Sequence, residues 1–197
     1  TGNLDPAKGK ALLHAVAVVK AGAFGIIRIV YEIYGVEFAQ SLNLLLPLAI
    51  FAAFTILWGS MRALFQDDLK KRLAFSTVSQ VSYITLGVAL FGTIGTIGGL
   101  VHLVHQGIMK ITLFFCAGNY AETLGIHKVS EMNGVGRRMP LTTIAFSIGA
   151  LGMMGAPLTA GAISKAWLSN GAVAAGMDWA VWVLWASSLL NAAYFLP

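Results

Sequence analysis

Residues 93–118 read TIGTIGGLVHLVHQGIMKITLFFCAG, and the reading of this stretch decides the fold. It exceeds the roughly 20 apolar residues with which a helix crosses about 30 Å of hydrocarbon. It contains no acid and a single Lys, Lys110. The rest of the chain agrees: of 197 residues, 57% are hydrophobic and 11% charged, with a mean hydropathy of +0.77. A soluble domain carries about 25% charged residues, so this composition predicts a chain whose main solvent is a lipid bilayer.

Working outward from 93–118, further apolar runs of span length lie at about 11–30, 42–58, 73–91, 140–173 and 179–196. The fifth run in chain order, 140–173, is too long for one plain crossing and contains Gly155-Ala156-Pro157-Leu158-Thr159-Ala160-Gly161. Proline removes a backbone donor and glycine loosens the turn, so two half-helices joined by a break near mid-membrane are expected. The expected fold class is all-α: a polytopic membrane helix bundle of about six spans with a broken fifth helix, with residues 1–197 forming a single membrane domain. The first ten residues are polar and the first apolar run has span length, unlike a signal peptide. A start on Thr1 and an apolar end at Pro197 read as a segment of a longer subunit.

Loop charges test the spans independently. Six crossings gather Lys8, Lys10, Arg62, Lys70, Lys71, Arg72, Lys128, Arg137 and Arg138 on one side, while the other side holds Glu32, Glu37 and Asp178 and no Lys or Arg. By the positive-inside rule the basic side, with both ends, is cytoplasmic, and an integral protein of a prokaryotic cell membrane is expected. The net charge of +5 is thereby explained by topology, and a nucleic-acid partner is not expected. One cysteine, Cys116, excludes an internal disulfide framework, a four-cysteine zinc site and a self-contained iron–sulfur cluster. No cofactor is expected, and any redox chemistry belongs to a partner.

Topology leaves Lys20, Arg28, Lys110 and Lys165 inside apolar segments. An ionisable group at a helix centre costs about 2.5–3.5 kcal/mol on insertion scales and usually faces a protein interior or a wet cavity. Lys20 lies about ten residues into its span, roughly 15 Å of rise, near the midplane. It is either an ion-translocating group or half of a structural ion pair, and no acid falls in the middle of any span to complete such a pair. Arg28 sits close to the span's end, where its stem reaches the headgroups as an anchor. At 100° per residue His102, Gln106 and Lys110 form one polar stripe, with His105 on the adjacent face. Two imidazoles beside a lysine suit a proton relay, because each ring donates at one nitrogen and accepts at the other. A structural core and a metal site are the alternatives, and no carboxylate partner for a metal is visible. Lys165 follows the break; it is either part of an ion path, where interrupted helices expose free carbonyls, or a snorkelling interfacial lysine. Gly92, Gly95, Gly98 and Gly99 read as a turn followed by close helix packing. His14, near the cytoplasmic end of the first span, is a further candidate for proton entry, and His127 falls in a loop.

Four blocks together carry a resemblance: LHAVAVVKAG at 13–22, DLKKRLAFSTVSQ at 68–80, HQGIMK with LFF at 105–115, and MPLT at 139–142 leading to GAISK at 161–165. In this order they resemble the antiporter-like subunits shared by respiratory complex I, Mrp-type cation/proton antiporters and membrane-bound hydrogenases. The resemblance implies subunits built from two inverted helical repeats around a polar axis, of which this chain would supply roughly the eighth to thirteenth helices. It implies that Lys20 is the central-axis lysine, Lys110 the relay lysine and Lys165 the terminal lysine on a broken helix. His105, five residues before Lys110, is more like the arrangement in the Mrp-type antiporters than the four-residue spacing common in complex I, where this chain has Gln106. The break carries Leu158 where relatives often have a second proline, and the first-half glutamate and lysine pair of the family lies outside this sequence.

The function expected is proton movement across a membrane, with Na⁺ as a candidate exchanged ion, along Lys20, His102, His105, Gln106, Lys110 and Lys165, with His14 at the entry. The partners expected are the other membrane subunits of a multi-subunit complex and the lipid bilayer. The chain brings no catalytic redox centre; its complex could be a quinone oxidoreductase or a hydrogenase-linked translocase. A rival from another class is a structural scaffold that docks a redox partner, in which case neutral replacements of the three lysines would be tolerated.

Overall fold

The computed structural model describes residues 18–35, 38, 41–42, 44–90 and 92–195, and it is helical almost throughout. Helix α1, Val18–Arg28, runs on into a π-helical stretch at Ile29–Tyr34. Then come α2 (Leu45–Leu64), α3 (Leu69–Ala89) and the long α4 (Thr93–Leu124). A 3-10 turn at Val129–Glu131 and the short α5 (Val135–Arg138) precede α6 (Pro140–Met154), α7 (Ala160–Ala174) and α8 (Asp178–Phe195). Helices α2 and α4 are each long and apolar enough to cross a membrane unaided. At 15 residues each, α6 and α7 rise only about 22 Å, less than the hydrocarbon thickness. They are the two pieces of the expected broken helix. His14, Lys8, Lys10, Glu37 and the first part of the first span lie outside the described residues.

The helix ends follow from local chemistry. Asp68 caps α3 by accepting from Lys71 N at 2.9 Å, and Pro140 opens α6, where its missing N–H would have had no partner. Helix α6 ends because Gly155 takes φ 83, which lets the amides of Gly155 and Ala156 turn back onto the carbonyls of Leu151 and Gly152. Thr159 then caps α7. Between the caps Leu158 has φ 69, a left-handed conformation that costs a branched side chain about 1–2 kcal/mol, and its side chain is fully exposed.

Helix α4 is the axis of the bundle, in contact with α3, α6 and α7, while α2 packs on α3 and α8. Helix α1 packs on α3, and the Tyr31 hydroxyl bonds Thr96 Oγ1 to tie it to α4. One apolar core joins Ala49, Ala52 and Ile56 of α2 to Leu86 of α3, Leu168 of α7 and Leu184 of α8. Another joins Leu73 to Leu113 and Met153. The glycines of α4 act as close-packing residues: a Cβ on Gly171 would strike the backbone of Gly95, and one on Gly98 would press on Leu168 N. Large apolar side chains such as Phe51, Leu141, Trp182 and Leu189 point outward, as lipid-facing surfaces require.

On the basic side, the loop after α2 is clamped to the loop after α4. Leu69 N donates to His127 O at 2.9 Å and Val129 N to Asp67 O at 2.8 Å. The Asp67 carboxylate accepts from Ser130 N at 3.1 Å and Ser130 Oγ at 2.9 Å. The Ser130 amide first, and its hydroxyl second, hold the Asp67 carboxyl below its usual range. A carboxyl lowered in the fold stabilises it fully above the unfolded value and loses that contribution as pH falls through the lowered one. Asp67→Asn is therefore less heat-stable than wild type at about pH 6, with the gap closing as pH falls through the lowered carboxyl value. Melting of the detergent-solubilised complex across pH checks this; a gap that does not change with pH would contradict it.

Candidate functional site

Five helices converge on a buried polar layer. Helix α1 contributes Lys20, which is 8% exposed and whose Nζ lies against α4 where Gly107 leaves room; a Cβ on Gly107 would overlap it. Helix α4 contributes His102, Gln106 and Lys110, all 0% exposed, so the stripe expected from spacing faces the interior. Helix α3 adds a second stripe, Ser76, Ser79, Gln80 and Tyr83, at the same helical spacing. Helix α7 brings Ser164 and Lys165, and α8 brings Ser187, Ser188, Asn191 and Tyr194.

The His102 ring is held at both nitrogens. Nδ1 is 2.9 Å from Ser164 Oγ, Nε2 is 3.1 Å from Gln80 Oε1, and the ring stacks on Tyr83 at 5.1 Å. With the Gln80 oxygen facing it, Nε2 donates in the neutral ring and Nδ1 accepts from the Ser164 hydroxyl, which has Gly161 O at 3.2 Å as an alternative acceptor. Taking up a second proton needs only that the Ser164 hydroxyl rotate to accept.

The two lysines of α4 and α7 draw their partners from carbonyls and hydroxyls. Lys110 Nζ donates to Ser76 Oγ at 2.7 Å and Leu73 O at 3.1 Å and stands over the Phe195 ring. Lys165 Nζ donates to Met153 O at 2.9 Å, Ser188 Oγ at 3.0 Å and Met154 O at 3.1 Å. Those two carbonyls belong to the last turn of α6, where a helix has no internal donors left and its dipole favours a cation. The break in the helix thus creates the lysine's cradle. Beside it a cavity of about 590 Å³, lined by Lys165, Ser169, Asn170, Trp185 and Ser188 among others, opens between α7 and α8.

The other candidates fall into place around this layer. Arg28 pairs with Glu32 at 2.5 Å on an exposed face. Buried His105 Nδ1 and both polar atoms of the Gln106 amide have no protein partner, so the described hydrogen bonds run through Gln80, Ser164 and Ser76 instead. Among the described residues no three His, Cys, Asp or Glu side chains gather as metal ligands. Charge and span depth do not single out Ser76, Gln80, Tyr83, Ser164, Asn191 and Tyr194. A signal is nonetheless present: polar residues recur every three or four positions in both α3 and α8.

The same architecture is found in known proteins. The chain is similar to NADH-quinone oxidoreductase subunit N of Desulforudis audaxviator, 40% identical over 190 residues, covering 96% of this chain and 38% of the relative. It superimposes on a chain of the Mrp complex from Dietzia sp. DQ12-45-1b with a TM-score of 0.86 at 31% identity, covering 94% of this chain and 34% of that one. A chain of the archaeal membrane-bound sulfane sulfur reductase gives a TM-score of 0.87 at 30% identity, over 97% of this chain and 39% of that one. The chain therefore spans little more than a third of the length of each of these relatives. The family profile described as NADH:quinone oxidoreductase/Mrp antiporter, TM, matches residues 4–191. A helical bundle with this match over nearly its whole length belongs to the NADH:quinone oxidoreductase/Mrp antiporter transmembrane family.

Proposed function

We propose that this chain moves protons across a membrane along a buried axis of Lys20, His102, Lys110 and Lys165, as part of a subunit of a multi-subunit respiratory or antiporter complex, with Na⁺ as a candidate exchanged ion. The observation that carries the reading is the burial of three lysines, from three different helices, in one layer with a doubly held imidazole. Hydroxyls and carbonyls hold such groups in place and still let a proton leave. His105 and Gln106 present unpaired polar atoms to the same interior, which suits a hydrated stretch between Lys20 and Lys110. The basic loops orient the segment with its ends on the cytoplasmic side, through six crossings that count α6 and α7 as one. Proton and Na⁺ flux in sealed vesicles containing the complete assembly, with Lys20, Lys110 and Lys165 neutralised singly, tests the reading; flux unchanged in all three would refute it and favour a scaffold.

Gly107 gives a sharper test of Lys20. Gly107→Ala leaves the helix intact, because the atom in the way is the free end of a flexible side chain, yet it forces the ammonium off its present position. Flux is expected to drop about tenfold while the melting temperature stays within a few degrees of wild type. Wild-type flux in this variant would show that the position of Lys20 Nζ is immaterial.

A further inference from the structure

Lys110 and Lys165 belong to different helices and share no partner, yet an unbroken run of hydrogen bonds connects them. Lys110 Nζ donates to Ser76 Oγ at 2.7 Å, and Ser76 Oγ is 2.8 Å from the Tyr194 hydroxyl. That hydroxyl also bonds Asn191 Oδ1, and Asn191 Nδ2 donates to Met153 O at 3.2 Å. Met153 O is the carbonyl that accepts from Lys165 Nζ at 2.9 Å. Ser76, Asn191 and Lys110 are 0% exposed and Tyr194 is 2% exposed, so bulk water does not short-circuit the run.

Ser76 Oγ accepts from both Lys110 and Tyr194 as the bonds stand, and donor counting permits the run two states. Tyr194 has one hydroxyl proton and two acceptors, Ser76 Oγ and Asn191 Oδ1. With Lys110 an ammonium, Ser76 accepts from it and gives its own proton to Tyr194, which donates to Asn191 Oδ1. With Lys110 a neutral amine, its lone pair accepts from Ser76, Ser76 Oγ then accepts from Tyr194, and Asn191 Oδ1 loses its donor. Only C–O rotations separate the states; no covalent bond is made or broken. In the first state Asn191 is pinned at both ends and its Nδ2 competes with Lys165 for Met153 O. In the second the amide keeps only its bond to Met153 O and is free to turn away, which leaves that carbonyl to Lys165.

We propose that Ser76, Tyr194 and Asn191 are positioning residues that report the charge of Lys110 to the carbonyl cradle of Lys165, so that a proton arriving at Lys110 loosens the one held at Lys165. This rests on the reading of both lysines as proton-holding sites. The charged and titratable groups facing the run are few. Helix α3 supplies Arg72, which donates to Tyr194 O at 2.8 Å, and Tyr83, whose ring lies under Lys165 Nζ. Helix α4 supplies Lys110 itself and His102; α1 places Lys20 at Gly107; α7 supplies Lys165; α8 supplies Tyr194; and α6 presents main-chain carbonyls.

The test uses the complete assembly in sealed vesicles with a trapped pH-sensitive dye. Tyr194→Phe removes one oxygen and keeps the ring packed on Phe195. It is expected to lower flux about tenfold and to move the midpoint of the flux–pH profile by about one unit, with assembly unchanged. Ser76→Ala should do the same, Ser76→Thr should recover the profile, and the double variant Ser76→Ala/Tyr194→Phe should be no worse than either single one, since one cut opens the run. A wild-type profile in Tyr194→Phe, or effects that add in the double variant, overturns the proposal. Should Tyr194→Phe fail to assemble, the Ser76→Ala and Ser76→Thr pair decides by the same criteria. Loss of flux in Lys110→Ala alongside a wild-type profile in Tyr194→Phe sinks this coupling alone; wild-type flux in Lys110→Ala sinks the translocation reading beneath it.

Discussion

Lys110→Ala should reduce proton flux through the intact complex to about one hundredth of wild type or less, with assembly preserved. The side chain is wholly enclosed, and any water that fills the space it leaves has no group that holds a proton near neutral pH. The partners left behind are tolerant: the Ser76 hydroxyl keeps Tyr194 as a neighbour, leaving only Leu73 O to lose a donor. Lys110→Met fills the space with an apolar chain of similar length and should be equally inactive and better packed. Lys110→Arg is the discriminating variant. A guanidinium keeps its proton at every accessible pH, so it preserves charge and abolishes proton release, and it should be as inactive as the alanine. Flux measured in sealed vesicles decides the matter, and an active Lys110→Arg complex would mean that the site supplies a fixed charge.

The largest structural effect is expected at Gly161. A Cβ there would collide with the carbonyl of Gly152, a backbone group of α6 that cannot swing aside as a side chain can. Gly161→Ala must push the two half-helices apart, at a cost of about 3 kcal/mol, and in doing so it draws Lys165 away from Met153 O. The yield of assembled complex and its melting temperature should both fall. Gly118 is the control, for a Cβ on it meets nothing within 4 Å, and alanine there should stabilise α4 by about 0.5–1 kcal/mol. Equal melting temperatures for the two variants would contradict the packing described.

Much of this was legible in the sequence because lipid imposes a coarse grammar. A run such as 93–118 admits few structures, and the Gly155 and Pro157 break admits few continuations. The burial of Lys20, Lys110 and Lys165 followed from their depth alone. Their partners did not. A hydroxyl in an apolar helix ordinarily turns back on its own helix, as Thr55 does to Phe51 O, Ser82 to Val78 O and Thr112 to Ile108 O. Nothing in residue type separates those from Ser76, which reaches across to Lys110 and Tyr194, or from Ser164, which meets the His102 ring as well as Gly161 O of its own helix; tertiary packing makes the difference. His102 and His105 pose the same difficulty, since three residues of helix leave both near the interior and only the packing of α3 and α7 selects the one that is held.

The cradle of Lys165 has a consequence for how such a site survives mutation. Two of its three acceptors are the carbonyls of Met153 and Met154, which every amino acid possesses. Replacing either methionine leaves the oxygen where it was. The site is written in the place where the helix stops, so at 153 any apolar side chain that fills the same core position, and at 154 a wider range, leaves the cation's surroundings the same. A search for this site across diverged sequences would do better to follow the helix stop and the spacing from it to the lysine than the residues that hold the lysine.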